Sequence, residues 1–186
     1  MRNYIAKCRS VSVHILLTLL LILVMSGDEE LKKTETVEYV DLNRYVGLWY
    51  EIAKIPNTFQ RKCLANTTAS YTLRDDGLIV VVNNCTKEDG SQIVARGIAK
   101  VYDENTYAKL KVSFVRIIGL SLFWGDYWII GLDEDYKYAV VGNPNRKYGW
   151  ILGREKSLPK DTLDEIFLLL RSQGYNTDDF EMTKQS

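Results

Sequence analysis

Few side chains in this 186-residue chain are suited to covalent or proton-transfer chemistry. The single histidine, His14, falls inside an apolar N-terminal run. With that run set aside, no imidazole remains to build a Ser-His-Asp or Cys-His pair or to ligate zinc. Of the three cysteines, Cys8 lies just before that run in the same N-terminal segment, which leaves Cys63 and Cys85. In an oxidising compartment two thiols read first as one disulfide. The alternatives are two inert buried thiols, or a reactive Cys63 whose thiolate is favoured by Arg61 or Lys62. Glu51, Tyr71 and Tyr127 are further proton-transfer candidates, but no nucleophile-base pair emerges. These residues point away from catalysis and call for no metal and no cofactor.

The N-terminal run bears on the compartment. Arg2, Lys7 and Arg9 precede residues 11–25, rich in Leu, Ile and Val, and the acidic Asp28-Glu29-Glu30 follows at once. That order is the layout of a secretory signal over residues 1–26, with an uncleaved anchor as the alternative. Without it the chain carries 21 basic against 24 acidic residues. A weakly acidic domain offers no electrostatic footprint for nucleic acid. Residues 27–40 are polar and unpatterned, a flexible leader to one domain over 41–186.

Within that domain Asp41 caps a short turn that ends at Gly47, and the apolar pattern then has a period of two. Strands are predicted over 48–55, 67–74, 78–85, 93–102, 107–114, 126–133, 137–142 and 149–154, separated by turns such as Asp75-Asp76-Gly77 and Asn143-Pro144-Asn145. Eight strands with short connections suit an all-β fold, an up-and-down antiparallel barrel, with a sandwich as the other arrangement. Pro159 opens a helix with Leu163, Ile166, Phe167 and Leu170 on one stripe, closed by Gly174. Its stripe needs the barrel's outer wall, and a last short strand near 180–183 would lie beside it.

Gly47 frees the backbone two residues before Trp49, and Arg154 ends the eighth strand, where its guanidinium can cover the indole. Gly47-x-Trp49, Gly125-Asp126-Tyr127-Trp128 and Arg154, on strands one, six and eight, resemble the three lipocalin motifs. Trp49-Tyr50-Glu51-Ile52-Ala53 and Tyr148-Gly149-Trp150-Ile151-Leu152-Gly153-Arg154 are similar to the bacterial, Blc-like lipocalin group, related to apolipoprotein D. The resemblance implies an eight-stranded barrel of the calycin type with a C-terminal helix on its outer wall. It implies non-catalytic binding, storage or transport of a fatty acid or lysophospholipid in a bacterial cell envelope. Lipoproteins of the group carry an acylated cysteine after the signal, whereas here residues 23–27 are followed by Asp28. A periplasmic or outer-membrane-associated protein without that lipid anchor is expected.

Strict alternation from Trp49 places Glu51 and Ala53 inside. Guided partly by the resemblance, the other lining positions are Ala69, Tyr71, Val81, Asn83, Gly97, Ala99, Val101, Leu110, Val112, Phe114, Tyr127, Ile129, Trp150 and Leu152. Gly97 and Ala99 leave space, while the aromatic residues supply walls with polar tips, as small-ligand sites do. Glu51 is a contact for a ligand head or is paired with another wall residue. The apolar segment 117–124 is a cover for the mouth, a membrane-surface contact, a homodimer contact or an extension of the flanking strands. Positions 67 and 85 fall roughly opposite each other, so a Cys63–Cys85 bridge would clip a lid loop containing Phe59 to the wall. Loop closure of that length is worth about 3 kcal/mol. Two sequons, at Asn66 and Asn84, matter only in a host that glycosylates them.

Overall fold

The computed structural model describes residues 33–117 and 120–186, so the expected export segment over 1–26 lies outside the described residues. Asp41 accepts a hydrogen bond from the Asn43 N–H at 2.9 Å and starts a one-turn helix, α1 (Leu42–Tyr45). Gly47, at φ 101°, turns the chain into β1 (Gly47–Lys54). The alternating sequence then folds as β2 (Ala65–Leu73), β3 (Ile79–Thr86), β4 (Gln92–Val101) and β5 (Lys109–Ser113). A separate two-stranded ribbon follows, β6 (Val115–Ile117) with β7 (Leu120–Leu122). The wall resumes with β8 (Gly125–Leu132), β9 (Tyr138–Gly142) and β10 (Gly149–Gly153). Every pairing in the wall is antiparallel, and β10 returns to β1 to close an eight-stranded barrel. The eight predicted strands coincide with these eight to within a few residues.

Helix α2 (Lys160–Ser172) buries Ile166 and Leu170 in a cluster with Ile130, Val140 and Ile151 from the outer wall. Pro159 at its N-cap and Gly174 just past its end frame it as expected. A short β11 (Glu181–Met182) pairs with the second half of β1.

The wall's ladders slip at three places, one of them between Ala65 and Thr68 in the β2–β3 pair, and the other two serve the helix. The β1–β10 register shifts between Glu51 and Ala53, so Ile52 and Ala53 both join the outer cluster under α2. Ala53 is therefore not a lumen residue, contrary to its parity. A second shift lies between Ile129 and Gly131, and a Cβ on Gly131 would stand 2.5 Å from Leu169. The glycine lets the helix sit close to the sheet.

The last part of the polar leader is held against the barrel. The Val37 N–H donates to the Ile129 carbonyl at 3.0 Å and the Val40 N–H to that of Thr106 at 2.8 Å, with the Val40 side chain fully buried. Val37, Tyr39 and Val40 are the hydrophobic residues among 33–40, too few to show a period.

One brace joins the two ends of the barrel wall. The Arg154 guanidinium carbon lies 3.7 Å from the centre of the Trp49 ring. Nη1 donates to the Leu48 carbonyl at 2.7 Å, and Nη2 faces the carbonyls of Arg44, Tyr45 and Val46 at 2.7 to 3.1 Å. Trp49 Nε1 donates to the Tyr45 carbonyl at 2.8 Å. Truncating Trp49 to alanine is expected to cost about 3–5 kcal/mol of unfolding free energy. Arg154→Ala, which strips donors from these carbonyls, is expected to cost about 2 kcal/mol. Denaturant titration measures both, and ligand affinity of the folded fraction should change little.

Candidate functional site

Antiparallel partners share a face of the sheet, so the register identifies the lumen. Trp49 lies opposite Ala69, and Ala69 opposite Asn83. Tyr71 lies opposite Val81, and Val81 opposite Gly97. Ala99 pairs with Val112, Leu110 with Tyr127, Ile129 with Val141, and Val141 with Trp150. Ala69, Tyr71, Val81, Ala99, Leu110, Ile129 and Leu152 belong to one buried cluster with Trp49, and Val112, Tyr127 and Trp150 pack against it. These predicted lining residues come together.

Gly97 and Phe114 behave differently from expectation. A Cβ on Gly97 would lie 2.7 Å from the Phe114 ring, so that ring fills the space the glycine was expected to leave open. Phe114 itself lies beyond the end of β5 and is 42% exposed, at the rim rather than deep in the wall.

Glu51 is 3% exposed and is not a lone carboxylate. It pairs with Lys54 Nζ at 3.1 Å and accepts from Thr183 Oγ1 at 2.6 Å and from the Gln60 side-chain amide. Gln60 Oε1 in turn accepts from Trp150 Nε1 at 3.0 Å and from Asn57 Nδ2 at 2.8 Å. Gln185 Nε2 bridges the backbone carbonyls of Glu51 and Thr67 where β1 and β2 diverge. One carboxylate thus ties together the wall, the loop after β1 and the C-terminal segment. Gln60, Thr183 and Gln185 carry no periodic signal, and the last two are brought in from more than 130 residues away.

Two unpaired polar atoms lie nearby. Thr67 Oγ1 and Asn83 Oδ1 are buried without a hydrogen-bond partner among the described residues. Deeper in the lumen, Tyr127 shares hydrogen bonds with Tyr45 at 2.7 Å and Tyr71 at 2.9 Å. Burial drives all three phenols above their ordinary range, Tyr71 to about 12. Tyr45 was not among the predicted lining residues. It lies one helical turn before Trp49, on α1, where a period of two gives no guidance.

Cys63 and Cys85 form a disulfide with their Cα atoms 5.5 Å apart, so Cys63 is not a free thiol. The bridge fastens the loop after β1 to the end of β3. Beyond β5 and β8 the apolar segment lengthens their hairpin in the same register, Val115 lying opposite Leu122 as Val112 lies opposite Gly125. This β6–β7 ribbon does not bury its apolar side throughout, with Leu120 68% and Phe123 81% exposed. At the sequons, the Asn66 side chain accepts from the Ser186 backbone N–H at 2.8 Å, and Asn84 Oδ1 is buried. Among the described residues no cluster suited to a metal ion occurs, and no helix is long and apolar enough to cross a membrane.

A family described as the lipocalin-like domain matches residues 40–185. Temperature-induced lipocalin-1 of Arabidopsis thaliana is 37% identical over 160 residues, covering 84% of this chain and 86% of its own. The outer membrane lipoprotein Blc of Escherichia coli K12 is 36% identical over 150 residues, 80% of this chain and 81% of its own. Apolipoprotein D of Macaca fascicularis is 34% identical over 159 residues, 80% and 78% of the two chains. Among solved structures, insecticyanin from the tobacco hornworm Manduca sexta shares the fold, with a TM-score of 0.66, 20% identity and coverage of 82% and 85%.

Two outcomes follow from the buried polar groups. An unfolded Tyr71 loses its proton near the ordinary 10.0 and the folded one near 12. The stability this phenol contributes is therefore whole below pH 10 and is lost as pH rises through about 12. Denaturant melts across that window should show Tyr71→Phe falling less steeply than the wild type. Glu51→Gln places an amide N–H₂ among the donors Lys54 and Gln60, with an expected cost of about 1–3 kcal/mol. Hydrogen exchange should then speed up at residues 57–63 and 181–185 before the rest of the barrel.

Proposed function

The chain belongs to the lipocalin family, and from that premise we propose that it binds and carries a hydrophobic lipid-like molecule, of the fatty acid or lysophospholipid class, inside the barrel without altering it. The observation that carries this reading is the inner face itself. Its apolar positions Val81, Ala99, Val112, Ile129 and Trp150 all point to one lumen, with polar groups confined to the Glu51 network, the tyrosines, Thr67 and Asn83. Small-ligand sites have that composition, and an eight-stranded barrel is wide enough for one small ligand. The side chains a catalytic reading would draw on are engaged elsewhere. Cys63 is in a disulfide, and the Glu51 carboxylate is held by Lys54, Thr183 and Gln60.

The proposed place of action is the cell envelope, after export. The names of the bacterial relatives support it, as outer membrane lipoproteins, and so does the order of charges and apolar residues over 1–26. Exposed Leu120 and Phe123 favour a membrane-surface contact beside the carrier role.

Native mass spectrometry of the exported protein tests the proposal. A single retained fatty acid or lysophospholipid, recovered chemically unchanged, is the expected result. Trp150→Ala, which removes an aromatic wall, should weaken that binding by about tenfold. An empty barrel that fails to bind added lipid saturably, or one that releases a cleaved product, contradicts the carrier function.

A further inference from the structure

Tyr45 from α1, Tyr71 from β2 and Tyr127 from β8 bring three hydroxyls together inside the closed end of the barrel. Three O–H groups carry three protons, yet the cluster contains two oxygen–oxygen contacts, at 2.7 and 2.9 Å, each of which uses one proton. However the protons are arranged, one donor is left over. No other described residue accepts a hydrogen bond from these oxygens. Ionisation does not relieve the imbalance, because burial keeps all three phenols protonated at neutral pH. Tyr45 and Tyr71 are buried in the packed base with Ile79, Leu110 and Ala139, whereas Tyr127 is only partly buried and faces inward. Tyr127 therefore marks the floor on which a ligand in the lumen rests.

We infer that this tyrosine cluster is a polar floor that takes one neutral hydrogen-bond acceptor, a hydroxyl or ketone oxygen, on the deep end of the ligand. One spare donor matches one neutral oxygen. A buried carboxylate would need several donors or a cation. The nearby guanidinium of Arg154 is already committed to backbone carbonyls and the Trp49 ring. The inference rests on the carrier function proposed above and narrows its cargo to lipids with oxygen at the far end of the chain as well as at the head.

The test is equilibrium binding of matched pairs, each fatty acid from dodecanoic to hexadecanoic against its ω-hydroxy derivative, by displacement of an apolar fluorescent probe. On an apolar floor the extra hydroxyl weakens binding by about tenfold or more. Here the ω-hydroxy acid is expected, at one chain length, to bind as tightly as its parent or up to about tenfold tighter. The triple variant Tyr45→Phe, Tyr71→Phe, Tyr127→Phe should reverse that order. Tyr45→Phe or Tyr71→Phe alone leaves two hydroxyls, one contact and still one spare donor, so each single variant should keep the preference. Mere loosening of the packing would not reproduce that pattern. A hydroxyl penalty of about tenfold at every chain length in the wild type overturns the polar floor and leaves the carrier standing. Absence of saturable binding for every member overturns both.

Discussion

The barrel depends on where one guanidinium sits. Arg154 ends the last wall strand, and its nitrogens reach carbonyls on either side of Gly47 while its plane covers Trp49. These carbonyls belong to α1 and the chain entering β1, so the contact joins the start of the wall to its end. An arginine suits this position because its planar fork serves several acceptors while its face lies on an aromatic ring. Gly47 permits the approach, since a Cβ there would stand 3.3 Å from Nη1 in a backbone conformation that side chains disfavour.

The position of the proposed binding region follows from that closure. With α1 fixed by Arg154, Tyr45 is directed inward to meet Tyr127, and the closed end becomes a packed base with a polar surface. The apolar wall lies beyond it. Further along β1, Glu51 gathers Lys54, Gln60 and Thr183, and Gln60 also holds the indole N–H of Trp150. The disulfide fastens the same loop on its other side. Polar groups thus lie in two zones with apolar wall between them, an arrangement suited to a molecule that is apolar along its body.

Much of this was legible in the amino-acid order because a half-buried strand writes its two faces as alternation. Alternation separated the two faces, and the resemblance helped choose the inward one for Val81, Ala99, Val112, Ile129 and Trp150; the stripe of α2 needed only its period. Local backbone irregularity escaped that logic: Ala53 changes face because the ladder slips between Glu51 and Ala53. Phe114 is displaced to the rim because β5 ends at Ser113. The partners of Glu51 were invisible for a different reason, since Gln60 lies in a loop and Thr183 arrives from the far end of the chain. Pattern reports which way a strand residue faces; it does not report what an irregular segment brings to meet it.

The central claim is that lipid occupies the lumen and touches the inward set of side chains. Nuclear Overhauser contacts between the chain methylenes of a bound fatty acid and the protein's methyl groups test it most directly. The account predicts contacts to Ala69, Val81, Ala99, Val112 and Ile129, and none to Ile52, Ile130, Val140 or Ile151, which pack beneath the outer helix. Contacts confined to the outer set or to the β6–β7 ribbon, with the inward methyls silent, would contradict it.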